Sequence, residues 1–449
     1  MLMPFMASAQ TSSINAYSPY SMYGMGELLT PGSAQMRSMG GVGIAVRNYG
    51  EINVLNPAAA SIAPQKSFLF DVGFDGTHFR NSQQKYNADV ASSTAKTVYN
   101  SANIHSIALT FPLAKSVGLS FSIAPYSSVG YKVKTTDQNE DTWADIGRVC
   151  YGHDGEGDIS EVKISFGWAP WQKFSMGVAA KYYWGNVTRS YEATAANVVT
   201  GSGVYASTKG IDTYVVSNIK FQVGMQWSPV QTETKSFTIG ATYDFGGKLN
   251  PKESNYVYTD NVINSIQANP IRNRIDALEL RVPHQVGVGM FFRNRKMAWG
   301  ADYVYALWGG NNSGYAENTT PSTVDVRYVD THTVKLGFEF TPRANDVRNY
   351  LNRIAYRVGV RSGNYYQSFG GEKINTFAVT AGLGMPLKIW GISTMNIGFE
   401  YGRMSAKNHI KIDAQRVGLV RQNSFKVTLG FSLFSADTAD YWFVQQKYD

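Results

Sequence analysis

Residues 424–433 read Ser-Phe-Lys-Val-Thr-Leu-Gly-Phe-Ser-Leu, with an apolar side chain at every second position from Phe425 to Leu433. Successive side chains of a β-strand point to opposite faces of the sheet, so one face of this segment is apolar and the other is polar or glycine. A strand that separates lipid from a polar lumen needs this pattern. The same alternation recurs at residues 161–168, 220–227 and 333–340. The pattern predicts transmembrane β-strands.

Fourteen segments of this kind follow one another along the chain. The predicted strands are 67–79, 103–112, 115–127, 159–169, 172–185, 211–228, 235–245, 281–293, 296–307, 329–342, 353–362, 373–386, 392–404 and 422–434. The gaps between them are alternately short and long, and the long ones cover roughly 80–102, 128–158, 186–210, 246–280, 308–328, 363–372 and 405–421. An even strand number, with short periplasmic turns and long extracellular loops, is typical of bacterial outer-membrane barrels.

The sequence therefore predicts an all-β fold, a transmembrane antiparallel β-barrel of about 14 strands. We expect it to be integral to the outer membrane of a Gram-negative bacterium and in contact with its lipid, with both termini in the periplasm. No run of about 18 apolar residues occurs, which excludes a helical span. Tryptophans cluster at the predicted short turns, namely Trp168, Trp171, Trp227, Trp299 and Trp390. Indole prefers the membrane interface, so this placement favours a barrel over the alternative of a soluble β-sandwich or propeller.

The composition excludes several other classes of protein. Aromatic residues make up 13% of the 449 residues, and the 43 glycines are many for a soluble α/β enzyme. The net charge of +8 is spread along the chain without a basic block, which argues against nucleic-acid binding. The single cysteine, Cys150, excludes both a disulfide framework and a cysteine-based metal cage.

The sequence gives no motif for an enzyme or a cofactor. The six histidines are scattered singly, and no Gly-x-Ser-x-Gly motif occurs. A Ser–His pair assembled from distant strands stays open at this point. Three carboxylates in the glycine-rich stretch 153–158 either hold Ca²⁺ or form a solvated acidic loop. We expect a protein that is not an enzyme, with no metal and no cofactor.

The predicted inward face of the barrel carries charges of both signs. The residues are Asp71, Asp75, Glu161, Lys163, Lys181, Asp244, Asp302, Lys335, Glu339, Arg353, Arg357, Arg361 and Glu400. Mixed charges interspersed with glycine suit a lumen that is packed against another part of the chain and pairs its charges. A wide porin eyelet is the alternative.

The segments outside the barrel divide the chain further. Residues 1–9 end in Ala7-Ser8-Ala9 and are interpreted as the remnant of a signal peptide. Residues 10–66 lack strand alternation and are rich in glycine and small residues, which lets the backbone lie close to other chain. We expect this segment to be an N-terminal hatch that plugs the lumen, followed by the barrel at 67–434 and a periplasmic tail at 435–449.

The N-terminal segment resembles that of a known family. The Met-Gly-Gly-x-Gly stretch that contains Gly40, Gly41 and Gly43, followed by Asn56-Pro57-Ala58 and fourteen strands, resembles the FadL-type outer-membrane transporters of long-chain fatty acids and aromatic hydrocarbons. Residues 18–24, Ser-Pro-Tyr-Ser-Met-Tyr-Gly, and the closing residues 442–449 resemble the version found in Bacteroidetes. That group also includes barrels of outer-membrane secretion and assembly machines.

The resemblance implies a hatch motif at these six residues and two alternative functions. The first is a channel for passive uptake of small hydrophobic molecules, fatty-acid-like or aromatic, through an opening in the barrel wall. Tyr256, Val257, Tyr258, Val262 and Ile263 are then candidate walls of a ligand pocket in the long loops. Pro125 marks a possible lateral opening, since it interrupts a regular strand and cannot donate a ladder hydrogen bond. The second alternative is a non-transporting subunit or anchor of an outer-membrane protein machine, with protein subunits as partners.

Overall fold

The computed structural model confirms a closed antiparallel barrel of 14 strands. It describes residues 17–64, 67–87, 90–136, 148–196, 207–260, 280–309, 326–387, 393–406, 409–412 and 415–435. The barrel strands are β1 Phe68–Asn87, β2 Val90–Ala114, β3 Val117–Thr136, β4 Arg148–Trp171, β5 Phe174–Ala196, β6 Ser207–Gln231, β7 Lys235–Asp244, β8 His284–Asn294, β9 Met297–Leu307, β10 Thr331–Phe340, β11 Ala355–Phe369, β12 Glu372–Leu387, β13 Ser393–Ser405 and β14 Val420–Ser435. Neighbours along the chain pair antiparallel, and β14 pairs with β1 from Phe68–Ser435 to Gln83–Val420, which closes the barrel.

The two faces of the strands follow the alternation in the sequence. On β4, Ile164 and Phe166 are exposed on the outer surface, whereas Lys163 and Ser165, which alternate with them, are buried. The other strands repeat this pattern, and Trp168 and Trp227 lie exposed on the outer surface near the short turns. An apolar outer belt bordered by aromatic side chains is the surface that a bilayer requires of a barrel. Within the described ranges, no helix is long and apolar enough to cross a membrane.

The strands on one side of the barrel are much longer than predicted. β1 to β6 contain 20 to 25 residues each. About 10 residues are enough to cross the apolar layer, so these hairpins project far beyond it. Large parts of the predicted loops 80–102, 128–158 and 186–210 are therefore strand. Beyond the bilayer, no lipid selects apolar residues for the outer face, and the alternation that identified the strands is lost. The acidic stretch 153–158, predicted to be a loop, lies within β4.

Short elements complete the long-hairpin end of the barrel. Lys252–Asp260 adds to β6, and Val326–Tyr328 adds to β11. Two small ribbons pair Gly247–Lys248 with Arg281–Val282 and His409–Ile412 with Gln415–Gly418.

The N-terminal residues 17–64, here called the inner segment, lie inside the barrel and contain little regular structure. They comprise a 3-10 helix at Pro19–Met22, a two-residue strand at Glu27–Leu28, a short helix α1 at Ala34–Ser38 and a second 3-10 helix at Pro57–Ile62. Serine and asparagine side chains cap the three helical turns at residues 18, 33 and 56, each by accepting a backbone N–H of the first turn.

Candidate functional site

A row of glycines on the inner wall receives the second 3-10 helix of the inner segment. Gly118, Gly167, Gly177 and Gly224 are direct cross-strand neighbours on β3, β4, β5 and β6. A Cβ atom at Gly118 would lie 1.9 Å from the carbonyl oxygen of Ala60, and one at Gly177 would lie 2.5 Å from the carbonyl carbon of Pro57. Real Cβ atoms do not approach so closely, so this glycine row forms a shallow groove that only a side-chain-free wall provides.

Asn56 fastens the start of that helix to the barrel. Its side-chain oxygen accepts the N–H of Ala58 at 3.1 Å, while its amide nitrogen donates to the carbonyls of Ile44 at 2.9 Å and Met225 at 3.1 Å. Asn56 and Ala58 are fully buried. Pro57, at the first helical position, has no N–H to satisfy and is compatible with the helical φ. The Asn-Pro-Ala motif therefore joins the inner segment to itself and to the wall.

The glycines of the first motif make the equivalent contacts on the opposite wall. Gly40 has a φ of 71°, and a Cβ there would lie 2.7 Å from the carbonyl oxygen of Leu336 on β10. Its N–H donates to the Thr380 hydroxyl of β12 at 2.9 Å. Gly41 also has a positive φ, of 84°. The N–H of Gly43 donates to Asp302 Oδ2 at 2.8 Å.

Buried charges hold the middle of the inner segment. Arg37 of α1 is only 4% exposed, and its Nη1 lies 2.5 Å from Asp75 Oδ2 on β1. Asp75 also accepts the Thr428 hydroxyl at 2.7 Å. In the same way, Lys163 Nζ donates to the carbonyl of Val54 at 2.5 Å. The mixed charges of the lumen thus pair with the inner segment and with each other, as the sequence indicated. Arg353 is an exception, because it lies in the turn before β11 and not on a strand.

Aromatic residues fill the half of the lumen nearest the long hairpins. The Trp308 and Tyr366 rings pack with centroids 4.4 Å apart, and both residues are almost fully buried. The Tyr365 and Tyr366 hydroxyls donate to the carbonyl of Gly26, at 3.1 and 2.5 Å. The cluster therefore binds the backbone of the inner segment through hydrogen bonds.

The wall contains a seam between β2 and β3. These strands pair from Ala114–Val117 at the short turn up to Ile107–Ile123, and no pairing joins them above that point in the described part of the chain. Pro125 lies just above the end of this ladder, where the register of β3 against β4 shifts between Pro125 and Ser127. Beyond the shift, the five consecutive residues 127–131 are all buried. Since neighbouring side chains point to opposite faces, both faces of β3 are covered there.

Beyond the end of the β2–β3 pairing, the inner segment replaces β2 as the partner of β3. Glu27 and Leu28 pair antiparallel with Ser128 and Ser127. The N–H of Leu29 donates to the Tyr126 carbonyl at 3.0 Å, and the N–H of Ser18 donates to the Gly130 carbonyl at 2.9 Å. Gly26, with a φ of 86°, brings the backbone so close that a Cβ would lie 2.2 Å from the Ser128 carbonyl oxygen. We call residues 26–29 the latch.

A cavity of about 360 Å³ lies behind the latch. Toward the seam it is lined by Leu28, Leu29, Pro31, Pro125 and Tyr126. Glu27 of the latch also lines it, and its other charged lining residues are Glu161, Lys163, Lys181, Asp244, Lys335, Arg361, Glu400, Arg403 and Lys426. Lys181 Nζ is paired with Asp244 at 2.6 Å and with Glu161 at 3.6 Å. The lining thus combines apolar side chains beside Pro125 with charged side chains from the latch and from the inner faces of the strands.

The sequence of the chain matches the family model described as BamG over residues 1–449. The chain belongs to the BamG family. No curated protein matches it significantly. Solved structures with the same fold include a Pseudomonas aeruginosa FadL homologue, with 12% identity and a TM-score of 0.59 over 92% of this chain and 99% of the other. The Pseudomonas putida toluene transporter TodX matches with 15% identity and a TM-score of 0.54, over 90% and 98%. The Ralstonia pickettii toluene transporter TbuX gives 14% and 0.53, also over 90% and 98%.

In this BamG-family barrel, the remaining predicted site residues are those of the loop pocket. Tyr256, Val257 and Tyr258 belong to the strand Lys252–Asp260, where Tyr256 pairs with Ile211 of β6. Val262 and Ile263 lie outside the described residues, as do the signal remnant 1–9 and nearly all of the tail 435–449. The ligand pocket in the loops and the division of the chain into these segments stay predictions.

Sequence reasoning missed the glycine row and the latch of the BamG-family chain. The glycines at 118, 167, 177 and 224 are visible as inward positions of alternating strands, so their clustering was detectable once the strands were put in register. Gly26 gives no comparable signal, because its role depends on the close approach of Ser128, about 100 residues away in the chain.

Proposed function

We propose that the protein is an outer-membrane channel for small hydrophobic molecules, which enter or leave the lumen sideways through the seam between β2 and β3. The observation that carries the proposal is the coincidence of three features at Pro125: the end of the wall ladder, the latch, and the cavity. The ladder holds a barrel wall together, and where it ends a molecule can pass without breaking pairs between β2 and β3.

The chemistry of the cavity supports the same reading. Leu28, Leu29 and Pro31 present apolar surface at the seam, where a molecule dissolved in the bilayer would arrive. A few polar groups in a mostly apolar site orient a ligand, and the charged lining residues would do this here. The fold shared with structures described as toluene transporters is consistent with the proposal.

The latch would have to move for passage, and the structure offers a way to disturb it. An alanine at Gly26 would meet the Ser128 carbonyl and would adopt a positive φ. The left-handed backbone alone costs about 1–2 kcal/mol for a residue other than glycine, and each lost tyrosine hydrogen bond costs about 1 kcal/mol. A total of about 3 kcal/mol shifts the latch equilibrium roughly 150-fold toward the open form.

The test is uptake of a radiolabelled fatty acid or toluene by a Gram-negative host that lacks its own hydrocarbon channel. Gly26→Ala should raise uptake at equal protein level. Gly50→Ala is the matched control, because a Cβ at Gly50 would touch nothing within 4 Å.

A disulfide that locks the latch closed should have the opposite effect on uptake. Leu28 and Ser127 are ladder partners, and cross-strand partners lie within the Cα separation of a disulfide. Leu28→Cys/Ser127→Cys, in a Cys150→Ser background, should reduce uptake until a reductant is added. If neither the open nor the locked latch changes uptake, the channel proposal is wrong.

The second candidate function is a barrel subunit of an outer-membrane protein machine. It is favoured by the density of buried contacts that fix the inner segment, such as Arg37–Asp75 and Asn56–Met225, which resist the opening that a channel needs. For this function, protein purified in mild detergent should carry stoichiometric polypeptides and no lipid-like ligand detectable by mass spectrometry. A lone barrel that retains hydrophobic ligand would contradict it.

A further inference from the structure

One turn at the short-turn end of the barrel is far longer than the other described turns there. Residues 341–354 join β10 to β11, whereas the other described turns at this end contain two or three residues. The carboxylate of Asp346 accepts the N–H groups of Arg348 and Asn349 at 2.9 and 3.1 Å and the side-chain amide of Asn352 at 2.6 Å. These bonds hold the backbone of the turn together between Asp346 and Asn352.

This ordered turn exposes large apolar side chains. Val347 is 96% exposed, Leu351 60% and Tyr350 45%. Their exposure contributes nothing to folding, because burial of apolar surface is what stabilises a fold. Tyr350 is positioned by its hydroxyl, which donates to the Pro386 carbonyl at 3.1 Å. Preordered aromatic and aliphatic side chains of this kind are typical anchors of protein interfaces.

Basic residues surround the apolar group. Arg343 and Arg348 are exposed on the turn itself, and the Arg353 guanidinium lies 5.9 Å from the Tyr350 ring centre. The neighbouring β8–β9 turn adds Arg295 and Lys296, and it is joined here by the Thr341 N–H, which donates to the Lys296 carbonyl at 2.7 Å. Asp346 is the only acidic residue in 341–354, and both of its oxygens already accept hydrogen bonds.

We propose that this turn, residues 341–354, is a docking site for a protein partner that presents an acidic surface around an apolar pocket. A rim of one charge selects partners of the opposite charge and speeds their encounter, while the apolar anchors supply affinity. A protein is favoured over the lipid surface because Val347 is flanked by Asp346 and Arg348 and lies seven residues beyond the last lipid-facing residue of β10, Phe340. The proposal does not depend on conduction through the seam, and it would extend the machine-subunit candidate.

The test uses the full chain with Cys150→Ser and a single new cysteine at Val347. A membrane-impermeant maleimide is applied to permeabilised native cells and to the purified protein in vesicles of phosphatidylethanolamine and phosphatidylglycerol. If nine in ten copies are occupied in cells, labelling there should be about tenfold slower than in vesicles. Charge reversal with Arg343→Glu and Arg348→Glu should restore fast labelling in cells. A cysteine at Tyr49, which is 58% exposed in the inner segment, is the control and should show no such difference.

Three results would overturn the proposal. Equal rates at Val347 in cells and vesicles, both as fast as at the Tyr49 control position, would show that nothing covers the turn. Slow labelling in both would mean that lipid covers it, and quenching of a fluorophore at this cysteine by doxyl-labelled lipid would show this directly. Protection that survives charge reversal would contradict an acidic partner.

Each variant is first checked for heat-dependent gel mobility, and Arg343→Gln/Arg348→Gln replaces the charge reversal if that variant fails to fold. Failure here leaves uptake through the seam unaffected, so the two proposals are separately testable.

Discussion

The pair Arg37–Asp75 offers the sharpest test of how the inner segment is held. The guanidinium is 4% exposed, the carboxylate is 13% exposed, and their atoms are 2.5 Å apart. Arg37→Met keeps most of the side-chain volume but leaves Asp75 with the Thr428 hydroxyl at 2.7 Å, the His105 ring at 3.4 Å and the charge of Lys426 nearby. Removing one partner of a buried ion pair costs about 3–5 kcal/mol, because the remaining charge loses its direct partner and is not solvated.

The double variant separates this pair from a general loss of packing. In Arg37→Met/Asp75→Asn no charge is left unpaired, so we expect a cost of no more than about 1–2 kcal/mol, well below that of Arg37→Met alone. The measurements are urea unfolding of the barrel in detergent, and amide hydrogen exchange over residues 33–46 to detect local release. A single variant that costs less than about 1 kcal/mol, or a double variant whose cost is the sum of the singles, would refute the reasoning.

Three further predictions concern the wall, the glycine row and the latch. Ile164→Arg, in the outer apolar belt, should destabilise the barrel by about 2–4 kcal/mol in vesicles, whereas His78→Arg at an exposed outer position should cost about 1 kcal/mol or less, and equal costs would show that Ile164 does not lie deeper in the bilayer than His78. Gly177→Ala should displace the second 3-10 helix and raise single-channel conductance in planar bilayers, whereas Gly152→Ala, where a Cβ would lie 3.8 Å from its nearest neighbour, should leave the conductance unchanged. Burial raises the pKa of Glu27, so the folded latch binds its proton more tightly than the unfolded chain does. Latch stability should therefore fall as pH rises from about 4.5 through the raised pKa, and Glu27→Gln should abolish this loss in hydrogen exchange at residues 26–29.

The strand number and the two faces of the wall could be predicted because lipid imposes a simple rule on each residue. Segments such as 161–168 and 424–433 must be apolar at every second position, whatever the rest of the chain does. The rule ends where the bilayer ends. The upper parts of β2 and β4 carry residues such as Lys96 and Glu156, and their strand structure depends on cross-strand pairing that no local pattern records. Strand lengths were therefore wrong where strand number was right.

The site was predictable only where a residue has a local constraint. Asn56-Pro57-Ala58 contains its own helix cap, and Pro125 carries its missing N–H wherever it lies. The contacts that give these residues a role come from distant parts of the chain. Gly26 meets Ser128 and Tyr366, and the glycine row exists only because four strands align in one register. Such contacts follow from the closed barrel, and they leave no local pattern in a single sequence.

The latch links the seam to the cavity, because the same residues pair with β3 and line the cavity. In the described residues, the edge of β3 above Ile123 has no pairing with β2. If this edge lies within the bilayer, as the channel proposal requires, each unpaired backbone group would cost several kcal/mol. The latch supplies the missing partner, and the same residues form a wall of the cavity. Movement of the latch would therefore open the seam, expose the cavity and uncover the strand edge together.

A ligand favours that open state only by the free energy it gains in the cavity beyond what it has in the bilayer. A partner that stabilises the closed latch would act on the same equilibrium in the opposite direction. Transport and assembly roles would then differ in which state is stabilised, and the locked Leu28→Cys/Ser127→Cys variant is the form in which an assembly role should persist after transport is lost.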